Sequence, residues 1–292
     1  MERQKRGLRV IQAKYRNRLP LPQPAVVHVR RSYAESRSGQ IHLSTAYPSG
    51  GGFDERTPVI CLHHSGGSGR LFAPVLRELG HDRSVYAPDL PGHGSSDGLP
   101  SRVTVADFAG AIADFIESLR LRSVDLAGFQ LGALVAAELA IARPQLIRRV
   151  MLWGVPSYSA QDRAALLQNV PSPGAKEDGS DVSEEWRRLL ERRGPGVPIS
   201  ALADELGDRL RAGTTGAKSY VSMVEYPAAE RLPLVKQQAL VLRLKDEFWE
   251  HSGRARASLS NGSMLDLPDY GQGFLSAAPQ RFTSVAREFF DR

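Results

Sequence analysis

The chain has 292 residues, 41% apolar and 24% charged, which is ordinary globular usage and excludes a disordered chain. Its formal charge is +6, but residues 1–18 hold seven basic residues and one acid, and the remainder carries 31 of each sign. The charge therefore marks a terminal arm, and it argues against nucleic-acid binding by the folded body.

In chain order, Pro20, Pro22 and Pro24 end the arm, since each lacks an N–H and restricts the residue before it. Val26–Ser32 and Ile41–Tyr47 read as strands joined by a turn at Ser38-Gly39. Pro58–Leu62 is a continuous apolar run, as in a strand covered on both faces. Leu71–Leu79 reads as a helix and Ser84–Pro88 as the next strand. Thr104 caps a helix over Val105–Leu119, where Phe108, Ile112, Phe115, Ile116 and Leu119 recur at three- and four-residue steps. Val124–Phe129 is a strand, Leu131–Ala142 a helix and Val150–Val155 a strand. Such alternation specifies an α/β fold with a mostly parallel central sheet and helices on both faces.

From 157 to 237 the alternation stops. Ala160–Gln168, Glu184–Arg193, Ile199–Arg211 and Lys218–Tyr226 are helical. Ala239–Leu244 and Met264–Leu267 resume the strands, and Thr283–Phe290 is a closing helix. The expected organisation is a basic arm (1–24), an α/β core (25–156 and 238–292) and a helical cap insertion (157–237).

Five short motifs sit at the ends of the core strands. They are His63-His64-Ser65-Gly66-Gly67, Asp89-Leu-Pro-Gly-His-Gly-Ser-Ser-Asp97, Gly128-Phe129-Gln130-Leu131-Gly132, Lys245-Asp246-Glu247 and Asp269-Tyr-Gly-Gln-Gly-Phe274. Their order resembles the α/β-hydrolase superfamily over about residues 26–291, in particular the bacterial esterases, C–C hydrolases and dehalogenases that carry a helical cap. The resemblance implies the α/β-hydrolase fold. It also implies a strained strand-to-helix elbow that raises a nucleophile, with an oxyanion hole at the following N–H, here that of Leu131.

The family's triad runs nucleophile, acid, histidine. By resemblance the nucleophile position reads Gln130 and the histidine position reads Gln272. The acid position falls on Glu247, with Asp246 the neighbouring register. All seven histidines (28, 42, 63, 64, 81, 93 and 251) precede the last strand. An amide has no proton to lose near neutral pH and does not take one up, so the triad is degenerate and no acyl-enzyme is expected.

His63, His64, Ser65 and Gly66 are expected at the oxyanion hole or pocket wall, with His64 where relatives carry glycine. Ser65 is the one substitute nucleophile in a named motif. His93 and His251 read as structural and loop histidines. Trp153, Trp186, Tyr220, Met223 and Tyr226 are candidates to line an apolar cavity under the cap, with plain core as the competing reading.

The expected function is that of a pseudoenzyme binding a small apolar or carbonyl ligand under the cap without serine hydrolysis. One alternative is an atypical lyase, isomerase or cofactor-free oxygenase in which amides and His64 polarise a carbonyl. The other is an ester or C–C hydrolase with displaced residues. No P-loop, dinucleotide fingerprint or zinc-type spacing occurs, so neither cofactor nor metal is expected. A single cysteine, Cys61, precludes an intramolecular disulfide and fits a reducing, cytoplasmic setting. No apolar run reaches the ~18–20 residues of a membrane span. The oligomeric state is open, a dimer included.

Overall fold

The computed structural model describes residues 26–48, 55–98, 103–170 and 176–292, and the basic arm lies outside them. One sheet holds eight strands: β1 (Val27–Ser36), β2 (Gly39–Pro48), β3 (Val59–Leu62), β4 (Val85–Pro88), β5 (Val124–Phe129), β6 (Ile147–Trp153), β7 (Gln238–Leu244) and β8 (Gly262–Leu267). Their spatial order is β1-β2-β4-β3-β5-β6-β7-β8. β2 pairs antiparallel with β1 and β4, and every other pairing is parallel. The α/β class read from the alternation is the class the chain adopts.

The central strands are buried on both faces, which is why β3 and β5 read as near-continuous apolar runs. The charged residue in β5, Asp125, is fully buried and accepts from Arg148 Nε at 3.0 Å. β6 starts earlier than the apolar pattern suggests because Arg148 and Arg149 lie within it. Both reach the carbonyls of Phe290 and Phe289, at 2.6 Å each, and so tie the sheet to the last helix.

Helices α1 (Ala73–Leu79) and α10 (Pro279–Phe290) pack on one face of the sheet. Helices α2 (Val105–Ser118), α3 (Leu131–Ala142) and α8 (Trp249–Ser258) pack on the other. Thr104 and Asp107 form a reciprocal capping box that starts α2. A short helix α9 (Phe274–Ala277) precedes α10.

Between β6 and β7 lie α4 (Ala160–Leu167), α5 (Ser180–Arg192), α6 (Ile199–Glu225) and α7 (Ala228–Arg231). The two helices read over 199–226 form one 27-residue element, α6, broken only where Gly213 leaves helical geometry at φ 47°, ψ −125°. Its lower end is tied to the core through Glu138 on α3, which accepts from Tyr226 Oη at 2.8 Å and Arg231 Nε at 2.9 Å. Among the described residues no helix is long and apolar enough to cross a membrane.

Candidate functional site

β5 ends in a sharp turn into α3. Gln130 stands at its apex with φ 49°, ψ −112°, a backbone state that side-chain-bearing residues rarely adopt. The turn is set by close packing on either side. A Cβ on Gly128 would lie 2.4 Å from the Gly132 carbonyl oxygen, and one on Gly132 would lie 2.1 Å from that of Leu62. The Gln130 N–H donates to the Trp153 carbonyl at 3.1 Å, and its own carbonyl accepts from Ala133 N at 2.9 Å. Leu131, fully buried, opens α3, so its N–H is one of the first-turn donors that no helical carbonyl satisfies.

The loop after β3 carries two histidines in different states. His63 Nε2 accepts the Leu90 N–H at 2.8 Å, so its Nδ1 carries the hydrogen that goes to the His64 carbonyl at 2.7 Å. Both ring nitrogens are thus used in bracing the loop. Burial, reinforced by His93, holds its pKa well below the ordinary imidazole value. His64 packs edge-on against Phe129 with ring centroids 5.5 Å apart, and its Nδ1 lies 2.8 Å from the Ser65 carbonyl. Burial lowers its pKa as well, with Glu205 opposing and Arg209 assisting.

His93 is also buried and neutral. Burial brings its pKa to about 4, its Nδ1 meets the Pro91 carbonyl at 3.1 Å, and its Nε2 lies 3.1 Å from Ser219 Oγ. Ser219 in turn lies 2.7 Å from Ser65 Oγ, and both hydroxyls are within 3.0 Å of the Gly216 carbonyl. These bonds fasten α6 to the loop after β3. A second fastening joins Ser68 Oγ to the Asp208 carboxylate at 2.6 Å. Burial raises the Asp208 pKa.

A cavity of about 250 Å³ lies between the core and the insertion. His64 and Gln272 line it, as do Leu71, Leu189, Val197 and Leu202. Glu205 and Asp208 of α6 contribute its acidic side. Arg209 bonds Glu205 through Nη2 at 2.6 Å and Glu185 through Nη1 at 2.9 Å. Burial would raise Glu205, but Arg209 and His64 outweigh it and the net shift is downward. The reading from sequence missed Glu205, Asp208 and Arg209. Their three- and four-residue spacing on one face of α6 was the available signal.

Gln272 sits in the turn after β8, between Gly271 and Gly273. It also lines a second recess with Asp246, Glu247 and Arg192. Asp246 is partly buried and accepts the Phe248 N–H at 2.9 Å; burial raises its pKa to about 6. Glu247 is exposed and pairs with Arg192 at 3.4 Å. Among the described residues no hydrogen bond joins the side chains of Gln130 and Gln272. No described group of His, Cys, Asp and Glu is arranged to hold a metal ion.

The aromatic candidates divide. Trp153 is core: it stacks on Phe129 with centroids 5.6 Å apart and meets Phe72 and Phe282 edge-on. Met223 and Tyr226 are buried against α3 and its neighbours, so they too fill core rather than the cavity. Trp186 packs on Leu189, Val197 and Leu202, which form part of the cavity wall, and does not itself line the cavity. Tyr220, with Ser65 and Gly66, lines a separate cavity of about 410 Å³ beside Glu185, Arg188 and Arg209. His251 lies on α8 against Tyr158, with Nδ1 3.2 Å from the Ser157 carbonyl.

With this geometry in place, comparison with known proteins gives the class. The model of the alpha/beta hydrolase family matches residues 59–285, and the chain belongs to that family. It is 30% identical over 115 residues to the (E)-2-((N-methylformamido)methylene)succinate hydrolase of Acinetobacter baylyi, covering 39% of this chain and 44% of that protein. The chain thus matches less than half the length of that relative. A putative carbamate hydrolase, RutD, of Rhizobium rhizogenes is 25% identical over 79% of this chain and 91% of its own. The enol-lactonase structure from Burkholderia xenovorans superposes with a TM-score of 0.73 at 16% identity, over 89% of this chain and all of that one, which is a likeness of fold.

Proposed function

We propose that this alpha/beta hydrolase family member binds a small, largely apolar ligand in the cavity beneath the helical insertion and forms no acyl-enzyme. The observation that carries the reading is the elbow itself. Its strained turn is intact, but the residue it raises is Gln130, and the turn after β8 offers Gln272. A carboxamide supplies neither an ionisable nucleophile nor a base near neutral pH. Loss of such a pair removes about 10⁶ in kcat from a serine hydrolase. In this reading Asp246, rather than Glu247, stands for the triad acid, because it is the more buried and lacks an arginine partner among the described residues. It would orient no histidine. The pocket is that of a pseudoenzyme, built from His64, Gln272 and the apolar walls.

The relatives are named hydrolases, and one contiguous chain of groups favours a second reading. Ser65, Ser219 and His93 are hydrogen-bonded in sequence, and Ser65 opens on the neighbouring cavity. In that reading Ser65 is a displaced nucleophile. His93 is a weak base at a pKa of about 4, which is why it takes second place. Incubation with a fluorophosphonate probe and assay on p-nitrophenyl butyrate separate the two. The first reading expects no labelling and no turnover above a Gln130→Ala control. A stoichiometric burst abolished by Ser65→Ala would establish the second.

A further inference from the structure

We infer that His64 Nε2 is the hydrogen-bond acceptor of the cavity, and that the ligand is a small apolar molecule presenting a hydroxyl to it. This rests on the cavity being the ligand site.

The tautomer of His64 follows from its neighbour. Nδ1 lies 2.8 Å from the Ser65 carbonyl oxygen, and a carbonyl only accepts. Nδ1 therefore carries the ring hydrogen, and Nε2 of the neutral ring is a bare lone pair. Burial keeps the ring neutral at pH 7.

That lone pair has no partner among the described residues. Of the other two histidines buried nearby, His63 Nε2 takes the Leu90 N–H and His93 Nε2 faces Ser219 Oγ. His64 alone keeps an unclaimed nitrogen. The sealed side-chain atoms that lack partners are Arg83 Nη1 and Ser222 Oγ. His64 Nε2 is not among them, and the residue lines the cavity; the proposal places this nitrogen on the cavity wall. The residue is only 4% exposed. Its ring meets Phe129 edge-on, and a Cβ on Gly67 would come within 2.8 Å of Nε2.

Two carboxylates of α6 that face the cavity are already engaged. Asp208 takes the Ser68 hydroxyl and Glu205 takes Arg209. Arg70, Arg193, Ser200, Gln272 and Ser276 also line the cavity, but no hydrogen bond from a described donor reaches His64 Nε2. A carbonyl or ether oxygen there would set lone pair against lone pair, which reverses the carbonyl-polarising role considered from the sequence. A carboxylate placed at that nitrogen would likewise bring it only acceptors. An alcohol, phenol or enol hydroxyl satisfies Nε2, and the hydrocarbon part packs on Leu71, Leu189, Val197 and Leu202.

The test uses matched pairs, p-cresol with 4-methylanisole and cyclohexanol with methoxycyclohexane, titrated calorimetrically into the full-length protein at pH 7.5. Each hydroxyl compound is expected to bind at least tenfold more tightly than its methyl ether. His64→Phe should erase that preference. Equal, saturable binding of both members to the unsubstituted protein would overturn the inference and leave the cavity as the ligand site. Binding of neither member would overturn the cavity reading and the inference with it. A second measurement does not depend on the variant folding. Long-range ¹H–¹⁵N correlation spectra should show His64 with Nδ1 protonated and Nε2 bare, the Nε2 resonance moving when p-cresol is added. A protonated Nε2 in the free protein would refute the assignment.

Discussion

The Gly194 amide donates to the Gln272 carbonyl across 3.1 Å, so the loop between α5 and α6 is seated directly on the turn after the last strand. The contact leaves no room for a side chain: a Cβ on Gly194 would stand 2.5 Å from that oxygen. The roof of the cavity and the Gln272 position are thereby one mechanical unit.

Gly194→Ala should therefore lift this loop. We expect a loss of about 1–3 kcal/mol, the usual range for overpacking. Urea unfolding gives the energy, and amide exchange over residues 271–274 gives the location. Unchanged exchange in that turn would show that the loop yields elsewhere.

Gln130 stores backbone strain of about 1–3 kcal/mol at φ 49°, from which the extra chain entropy of a glycine, about 0.5–1 kcal/mol, must be subtracted. Gln130→Gly should be more stable than the parent by about 1 kcal/mol, a rise of roughly 2–4 °C in Tm. Gln130→Ala keeps the strain and should show no such gain. A lower Tm for the glycine variant would mean that the amide side chain contributes more than the turn costs.

The pKa of Asp246, raised to about 6 from an ordinary 3.8, makes stability pH-dependent with a definite sign. Between pH 4 and 6 the folded chain holds this proton more firmly than the unfolded chain, so the site's contribution falls as pH rises. By pH 7 the buried carboxylate costs up to about 3 kcal/mol. Asp246→Asn should gain stability relative to the parent between pH 4.5 and 7.5. Taking the difference cancels the histidines, which titrate in both proteins. A difference that stays flat across that range would count against a buried, uncompensated carboxylate.

Ser68 is the described side-chain donor to Asp208, which is only 8% exposed. Ser68→Ala leaves that carboxylate unsatisfied, at an expected cost of about 1–3 kcal/mol. Asp208→Asn in the same background should recover part of the loss by removing the charge. Absence of any recovery would indicate that the hydroxyl serves only to position the loop.

The strands were legible because residues buried on two faces must be apolar, and β5 and α3 have the bounds that their pattern suggests. The elbow was legible for a related reason: Gly128 and Gly132 stand where any Cβ would strike backbone. Helix α8 was not, since Trp249–Ser258 carries little apolar periodicity and buries only Ser252 and Ala255 fully. Trp153 was ambiguous because a tryptophan closing a strand is equally suited to core and pocket; only the stack on Phe129 decides. The acidic wall of the cavity depends on which face of α6 turns inward, a tertiary matter. The free nitrogen of His64 depends on one carbonyl contact that no spacing encodes.

Gly213 divides α6 into two rods with different loads. Residues 199–212 carry Glu205 and Asp208 and wall the cavity, whereas 214–225 are riveted to Ser65 and His93 through Ser219. A continuous helix would pass the stiffness of the riveted rod into the wall. With the backbone ladder interrupted at a residue that has no side chain, the wall holds its position by its own contacts alone. Whatever fills the cavity works against those local contacts, not against the fold as a whole.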